Sequence, residues 1–240
     1  MSKNLKIFLG ISYLILLFVF LYFIFTAIEI TKLNDFSYYK DLQGDLSNHM
    51  SENIITNIIY FFIFAVIWVA LLGFGSPLLI ISGILFGKWV GTLISVISIS
   101  VGALILYVIG NFFFRDLVKK ILEKKFDKYI FLFKKNEFYY FFIYRFIGGL
   151  GVPFGLQNLI PILFGMKNLS YFFSSFFGFI PGFFIFNTIG SGLNSYVAQS
   201  EKFNMIDFIL SPAIYSPVLM FAGLMIISFI IKKKFFDDKN

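Results

Sequence analysis

The sequence predicts an all-α integral membrane protein, with about four transmembrane helices and two opposed re-entrant helical hairpins arranged as an inverted repeat. The first observation is composition, because the chain is 59% hydrophobic and only 14% charged, whereas soluble domains carry about 25% charged residues. The second is a set of apolar runs long enough to cross a bilayer. The third is a repeated phrase: GFGSP at 73–77 returns as GLGVP at 149–153, and each is followed by ILFG, at 84–87 and 162–165.

The charge of the chain favours a membrane partner over nucleic acid. The net charge is +7, but the lysines cluster just beyond apolar runs, as in proteins that face the anionic cytoplasmic leaflet. The chain contains no cysteine. This excludes disulfides, thiolate catalysis and cysteine-ligated metals.

Four apolar runs have the length of a spanning helix, since about 20 helical residues cross about 30 Å of hydrocarbon. They are 7–28, 89–113, 169–190 and 213–231. The first follows Lys3 and Lys6 and is longer than the apolar core of a signal peptide, so it is interpreted as an uncleaved span. The chain then divides into a first span with an external polar loop, a core, and a last span with a basic tail: 1–53, 54–192 and 193–240.

Two further apolar regions, 54–87 and 138–165, are each interrupted by the repeated phrase. Glycine permits backbone angles that other residues resist, and proline cannot continue a helix but suits the first position of a new one. In each region a helix is therefore expected to enter, break, and restart at Pro77 or Pro153. The restarted helices, of about 10–13 residues, are too short to span a bilayer.

Each interrupted region is either a kinked crossing followed by a loop or a hairpin that enters and leaves on one side. If both are hairpins and the N-terminus is inside, 15 of the 20 Lys and Arg residues are cytoplasmic and four are outside. The positive-inside rule therefore favours hairpins, one dipping from each side. This inverted arrangement is one that secondary transporters use to build a midplane site. The resulting prediction is a multi-pass plasma (inner) membrane protein with both termini cytoplasmic.

The basic segment 115–137 is predicted to form an amphipathic helix. Apolar residues share one helical face and lysines occupy much of the other, which is typical of a helix lying on an anionic leaflet. A solvated linker helix is the alternative interpretation.

Arg145 is the principal candidate site residue, because it lies within an apolar run on the entering helix of the second hairpin. Such a position costs roughly 2.5–3.5 kcal/mol on insertion scales. The arginine therefore needs a partner, and its planar group with several donors matches phosphate well. The alternative is a structural arginine that holds the broken backbone near 148–151.

The tips of the hairpins are the second candidate feature. Unpaired N–H groups at the restarted helices attract anions, and Ser76 is expected to cap the first of them. Polar residues in apolar surroundings either line a headgroup path or hydrogen-bond between helices. The predicted substrate-binding residues are Arg145, Gly75, Ser76, Pro77, Gly151, Pro153, Gln157, Asn158 and Asn187.

An enzymatic function is not expected. His49 is the only histidine and lies in a polar loop, where a solvated role is commoner than a catalytic one. Neither metal-ligand spacing, paired membrane carboxylates nor a phosphate-loop signature occurs. The prediction is therefore a non-enzymatic protein without catalytic residues, metal or cofactor.

Several segments in the second half of the chain and around the first phrase carry a family resemblance. They are SGILFGKWVGT at 82–92 followed by a small-residue helix with Gly102, FFIYRF at 141–146, VPFGLQN at 152–158 and FGFIPGFFIFNTIG at 177–190. In order and spacing, the region 73–192 resembles the DedA/VTT-domain superfamily, especially the branch called SNARE-associated Golgi proteins. The resemblance implies two opposed re-entrant hairpins and movement of phospholipid or polyprenyl-phosphate between leaflets.

The sequence departs from that family in two places. No Asp or Glu occurs between Glu52 and Asp116, which argues against proton coupling through the first hairpin. Arg145 is followed by FIGGLGVP, so the proline usual after two hydrophobic residues is displaced. The leading hypothesis is a lipid translocase or scramblase for phosphate-bearing lipids. The alternatives are a small-solute or ion transporter with the same hairpins, and a membrane scaffold that organises partners.

Overall fold

The computed structural model describes residues 53–71, 73–200 and 204–232, with isolated positions and short stretches between 8 and 45. Within these residues all regular secondary structure is helical, which confirms the predicted all-α class. The predicted first span 7–28 and the polar loop with His49 fall mostly outside the described residues. The basic tail beyond Lys232 also falls outside them.

The helices of the described chain alternate between long and very short elements. Helices α1 to α7 are Ile54–Ala70, Gly75–Lys135, Glu137–Phe146, Phe154–Leu159, Asn168–Gln199, Met205–Leu210 and Pro212–Lys232, with 3₁₀ turns at Gly148–Gly151 and Ile160–Phe164. Two segments are long and apolar enough to cross a membrane, Gly75–Phe113 and Asn168–Gln199. Helix α7 covers the predicted last span, 213–231.

The predicted break at the first phrase lies between α1 and α2. The indole Nε1 of Trp68 crosses it and donates to the carbonyl of Phe74 at 2.9 Å. Helix α2 begins at Gly75, two residues before the predicted start at Pro77, and its N-cap is Phe74 with no side-chain cap bond. The predicted cap at Ser76 is therefore wrong, because Ser76 is already inside the first turn. Proline is tolerated there because the first turn leaves its N–H groups unbonded.

The second phrase also breaks a helix, but its backbone differs from that of the first. Gly149 and Gly151 have φ angles of 71° and 79°, whereas Gly75 is helical. Helix α4 then begins at Phe154, with Pro153 as its N-cap. The predicted restart is thus present one residue later, and Pro153 precedes the helix instead of being its first residue.

The glycines of the two ILFG segments have a matching role. Gly87 and Gly165 have φ angles of 72° and 60°, in the left-handed region that glycine enters without steric cost. Gly87 separates the short leg 75–86 from the long helical segment that follows. Gly165 ends the second short leg, where the N–H of Met166 donates to Pro161 and that of Gly165 to Ile162, at 3.4 and 3.2 Å, a Schellman motif. The order helix, break, short leg, left-handed glycine and long helix therefore occurs twice.

Helix α5 is the element against which both interrupted regions pack. The first short leg crosses its C-terminal half, where a Cβ on Gly190 would overlap the carbonyl of Ile80. Helix α3 crosses its N-terminal half, where a Cβ on Gly178 would lie 3.0 Å from the carbonyl of Phe142. Small residues at such crossings let helix backbones approach closely. The glycines of the family-like segments therefore set the helix packing.

The segment 88–113 of α2 runs antiparallel to α5. Trp89 contacts Phe184 with ring centroids 4.8 Å apart, and Tyr107 stacks on Tyr171 at 4.5 Å. Helix α1 packs on the other side, where a Cβ on Gly102 would lie 2.8 Å from the carbonyl of Val66. The buried core lies between these elements and consists of Phe61, Ala65, Val69, Leu78, Leu79, Ile94, Val96, Ile99, Ala103, Tyr107, Phe141, Ile162, Met166, Tyr171, Phe179 and Phe183.

The basic segment 115–137, predicted as an amphipathic helix, is helical as far as Lys135. It continues the helical segment 88–113, and the helix ends before Asn136. Both ends of 110–133 contact the second short leg, since Gly110 approaches Leu159 and Ile162, and Phe133 stacks on Phe164 at 4.3 Å. A straight helix of that length would separate its ends by about 35 Å. The two ends of the segment are therefore closer together than in a straight helix.

Candidate functional site

Arg145 lies at the end of α3, and its side chain is only 3% exposed. Its guanidinium donates to four side chains on α4 and α5. Nη2 binds Asn158 Oδ1 at 2.5 Å and the Tyr171 hydroxyl at 3.0 Å, while Nη1 binds Gln157 Oε1 and Nε binds Ser175 Oγ, both at 3.3 Å. The arginine thus joins three helices through one planar group.

Aromatic rings enclose the same guanidinium. Its Cζ lies 4.6 Å from the ring centroid of Phe141 and 4.7 Å from that of Phe179. The rings of Tyr171 and Phe154 lie farther away, at 5.7 and 5.9 Å. The faces of aromatic rings attract cations, most strongly where water is excluded. The rings therefore stabilise the charge and also shield it.

Gln157 connects the arginine to the broken backbone. While its Oε1 accepts from Arg145, its Nε2 donates to the carbonyl of Val152 at 2.6 Å and approaches that of Gly148 at 3.4 Å. Gly149 has a φ angle of 71°, and a Cβ there would overlap the Gln157 amide, so any other residue at that position would be strained. The predicted structural role of Arg145 is thus present, with Gln157 as the intermediary.

Tyr171 and Asn158 form the deepest part of the site. Both side chains are fully buried, and the Tyr171 hydroxyl lies 3.3 Å from the carbonyl and the Oδ1 of Asn158. The Asn158 Nδ2 has no hydrogen-bond partner. Tyr107, which stacks on Tyr171, donates to the carbonyl of Met166 at 2.6 Å. The tyrosine pair therefore links the site to the end of the second short leg.

The four acceptors of Arg145 carry no formal charge. A buried cation is normally paired with an anion, because desolvation of an unpaired charge is costly. Here amide and hydroxyl dipoles take that role. The site is therefore chemically suited to an anionic oxygen ligand. Within the described residues, no group of three or more His, Asp or Glu side chains is placed to hold a metal ion.

The two tips meet beside this site. A Cβ on Gly75 would lie 3.5 Å from the ring of Phe154, and Phe154 in turn lies 5.9 Å from the ring of Phe179. The tip residues Ser76, Pro77, Gly151 and Pro153 are exposed. They lie at the ends of the short legs, whereas the side-chain hydrogen bonds of Arg145 go to Ser175, Gln157, Asn158 and Tyr171.

Asn187 is the one predicted residue that lies apart from Arg145. It follows Ser175 by 12 residues on α5, which corresponds to about 18 Å along a helix. Its Nδ2 donates to the carbonyl of Phe183 at 2.9 Å, and its buried Oδ1 has no partner. Asn187 therefore belongs to the crossing of the first leg with α5.

Sequence reasoning missed Tyr171, Ser175, Phe141 and Phe179. Tyr171, Ser175 and Phe179 recur every four residues and share one face of α5, and Phe141 stands one turn before Arg145 on α3. A search for polar side chains on the face presented to α3 would have found the first two. Phe141 and Phe179 have no such signal, because the chain contains 37 phenylalanines and nothing in the sequence distinguishes these two from the others.

A comparison with protein families finds a match over the region just described. The family model of the VTT domain matches residues 57–192, more than half of the chain. The chain belongs to the VTT-domain family. This is the domain of the DedA and SNARE-associated Golgi proteins, as the resemblance implied. The comparison with solved structures gives no match.

The VTT domain includes most of α1, both short legs, Arg145 and the four hydrogen-bond partners described above. It ends at Gly192, inside α5, so α6 and α7 follow it. Proteins with a VTT domain are membrane-associated, and transporter or lipid-flippase roles have been suggested for them.

Proposed function

We propose that this VTT-domain protein is a membrane lipid translocase or scramblase that moves a phospholipid or a polyprenyl-phosphate between leaflets, without an enzymatic step. Arg145 is the proposed contact for the lipid phosphate. The observation that carries the proposal is a buried guanidinium whose four acceptors in the described part of the chain are all neutral, beside the point where the two tips meet.

In the proposed architecture the two interrupted regions are re-entrant hairpins that enter from opposite sides. The first short leg, 75–86, has about 18 Å of helix and falls short of about 30 Å of hydrocarbon. The first leg packs on α5 at Gly190, helix α3 of the second region packs on it at Gly178, and the tips approach each other at Gly75 and Phe154. These contacts support an inverted repeat with its site near the bilayer midplane.

The charge distribution supports the proposed orientation. With the N-terminus and the C-terminal tail inside, the basic segment 115–137 is also cytoplasmic, and its lysines face anionic lipids. We propose that this segment lies along the inner leaflet. We propose the plasma (inner) membrane as the location.

The neutral partners of Arg145 explain how a phosphate would be accepted. A phosphate oxygen that replaces the Gln157 or Asn158 amide oxygen exchanges a neutral acceptor for an anionic one that matches the charge and the planar fork of the guanidinium. A carboxylate partner would have to be displaced first, at an electrostatic cost. The same exchange would release Gln157 from Arg145, so lipid binding and movement of the second tip would be coupled.

The decisive experiment compares lysine substitutions at the two arginines of the chain in liposomes. Purified parent, Arg145→Lys and Arg115→Lys proteins would be reconstituted with fluorescent phospholipids, and lipid movement scored by quenching of the outer leaflet. Lysine keeps the charge but loses the planar fork. We expect Arg145→Lys to slow movement at least tenfold per folded molecule, and the exposed Arg115→Lys to leave it unchanged.

Two outcomes would contradict the proposal. One is a folded Arg145→Lys protein that moves phosphate-bearing lipids at the parent rate. The other is a parent protein that moves no lipid but carries a small anion or cation across the same liposomes, which would favour the transporter alternative. Folding is checked on the same preparations by thermal unfolding in detergent.

A further inference from the structure

An apolar groove opens on the outer surface of the helix pair formed by 88–113 and α5. Its volume is about 400 Å³. One wall is formed by Trp89, Thr92 and Val96, and the other by Phe176, Ile180 and Phe184. The second wall lies on a stripe of α5 next to, and distinct from, the stripe of Tyr171, Ser175 and Phe179 that faces Arg145. The groove is therefore separate from the arginine site.

The helix that forms the second wall of the groove contains a proline, Pro181. It lies within α5 and lines the groove. Proline has no N–H and its ring clashes with the preceding turn, so it locally disturbs the helix. The groove is lined almost entirely by carbon between two apolar helices, which in a bilayer suits an alkyl chain.

The positively charged side chain of a lysine lies at one end of this groove. Lys88 is exposed and precedes Thr92 by one turn, and the Thr92 hydroxyl donates to the Lys88 carbonyl. Lys88, Thr92 and Val96 therefore share the helical face that forms the first wall. Lysine side chains in helices point toward the N-terminus, which here leads away from the groove toward the Gly87 turn. The ammonium group is thus placed beyond the alkyl chain, where a lipid headgroup lies.

Trp89 indicates that this end of the groove lies at a membrane surface. Its side chain is 70% exposed, and tryptophan and lysine are both typical of the interface between hydrocarbon and water. The groove then extends inward from the interface for about two helical turns, along Thr92 and Val96.

We propose that this groove is a binding site for a phospholipid with an anionic headgroup, whose acyl chain lies between the two helices and whose phosphate region contacts Lys88. The site does not depend on lipid translocation or on Arg145. It requires only that Gly75–Phe113 and Asn168–Gln199 lie in a bilayer.

The test uses tryptophan fluorescence and lipids with brominated acyl chains, which quench a tryptophan that they touch. The parent protein and Trp89→Phe are reconstituted in zwitterionic vesicles that contain an equal fraction of either brominated anionic or brominated zwitterionic phospholipid. The difference between the two proteins reports Trp89. We expect the anionic lipid to associate with Trp89 about fivefold more strongly than the zwitterionic lipid, as one interfacial lysine attracts an anionic lipid.

Two substitutions sharpen the test. Lys88→Gln should abolish the preference for the anionic lipid, whereas Lys167→Gln, at an exposed lysine at the other end of α5, should retain it. Ile180→Phe should fill part of the groove and weaken quenching by both lipids. Equal association of both lipids with the parent would show ordinary boundary lipid and overturn the proposal. An absence of quenching by either lipid would overturn it too, because Trp89 would then be covered, for example by a second copy of the chain.

Discussion

At the scale of single residues, the guanidinium of Arg145 concentrates contacts from three helices in one place. Helix α3 supplies the cation, α4 supplies Gln157 and Asn158, and α5 supplies Tyr171 and Ser175. A buried polar group that loses its partner costs about 1–3 kcal/mol. The residues around Arg145 are therefore expected to contribute to stability as well as to function.

Gln157→Leu is expected to lower the free energy of unfolding by about 1–3 kcal/mol, because it leaves the Val152 carbonyl and one arginine nitrogen unpaired. Thermal or denaturant unfolding in detergent measures the change. The matched control is Gln199→Leu, at an exposed position at the end of α5, where no loss is expected. Equal stability of the two variants would mean that Gln157 does not hold the broken backbone.

The sequence identified part of this site for a simple physical reason. Arg145, Gln157 and Asn158 are polar residues in apolar surroundings, and their placement inside a membrane demands partners. Tyr171 and Ser175 could not be chosen in the same way, because tyrosine and serine are common on helices and the angle between α3 and α5 decides which of them face the arginine. Ser76 was misassigned since its role depends on a helix start that shifted by two residues.

At the scale of secondary-structure elements, Gly165 ends the second short leg in a left-handed conformation. Gly165→Ala is expected to destabilise the protein by roughly 1–2 kcal/mol, because the left-handed backbone conformation is less favourable by that amount for an L-residue with a Cβ atom. Gly182→Ala is the control, since its Cβ would meet nothing within 4 Å and it lies inside α5. There alanine should be neutral or stabilising by about 0.5–1 kcal/mol. If both substitutions changed the free energy of unfolding in the same direction, the proposed role of the ILFG glycine would be contradicted.

The crossing of the first leg over α5 supplies a second prediction at this scale. A Cβ on Gly190 would overlap the Ile80 carbonyl, whereas one on Gly223, in α7, would meet nothing within 4 Å. Gly190→Ala should therefore lower the unfolding free energy by about 1–3 kcal/mol, the usual cost of overpacking. Gly223→Ala should not lower it. A Gly190→Ala protein as stable as its parent would show that the leg shifts freely along α5.

The sequence predicted the presence of the long helices and of the two breaks well, but it predicted the backbone conformation at the breaks less well. Apolar length, glycine and proline were enough to locate α5, α7 and the two breaks. The repeated phrase did not predict equal backbones, because the second copy follows an additional Gly148 and adopts a 3₁₀ turn at Gly148–Gly151. The role of Gly87 and Gly165 also went unpredicted, since a glycine at the end of a short apolar run has no distinctive sequence signal.

At the scale of the whole molecule, the proposed orientation can be tested with single cysteines, because the chain has none of its own. Asn136→Cys and Gln199→Cys lie at exposed positions that the proposed topology places on opposite sides. In intact cells an impermeant thiol reagent should label position 199 and not position 136. Labelling of both positions only after permeabilisation, or of position 136 in intact cells, would falsify the opposed hairpins.

The packing of the first leg against α5 also has a consequence for biogenesis. Gly83 and Gly190 meet although more than 100 residues of chain separate them. At a synthesis rate of about 5–20 residues per second, the first leg waits about 5–20 s before its partner leaves the ribosome. During that interval its glycine face has no helix to cover it. The nascent chain must therefore keep this segment in lipid or against the insertion machinery, and α5 completes the domain as it arrives.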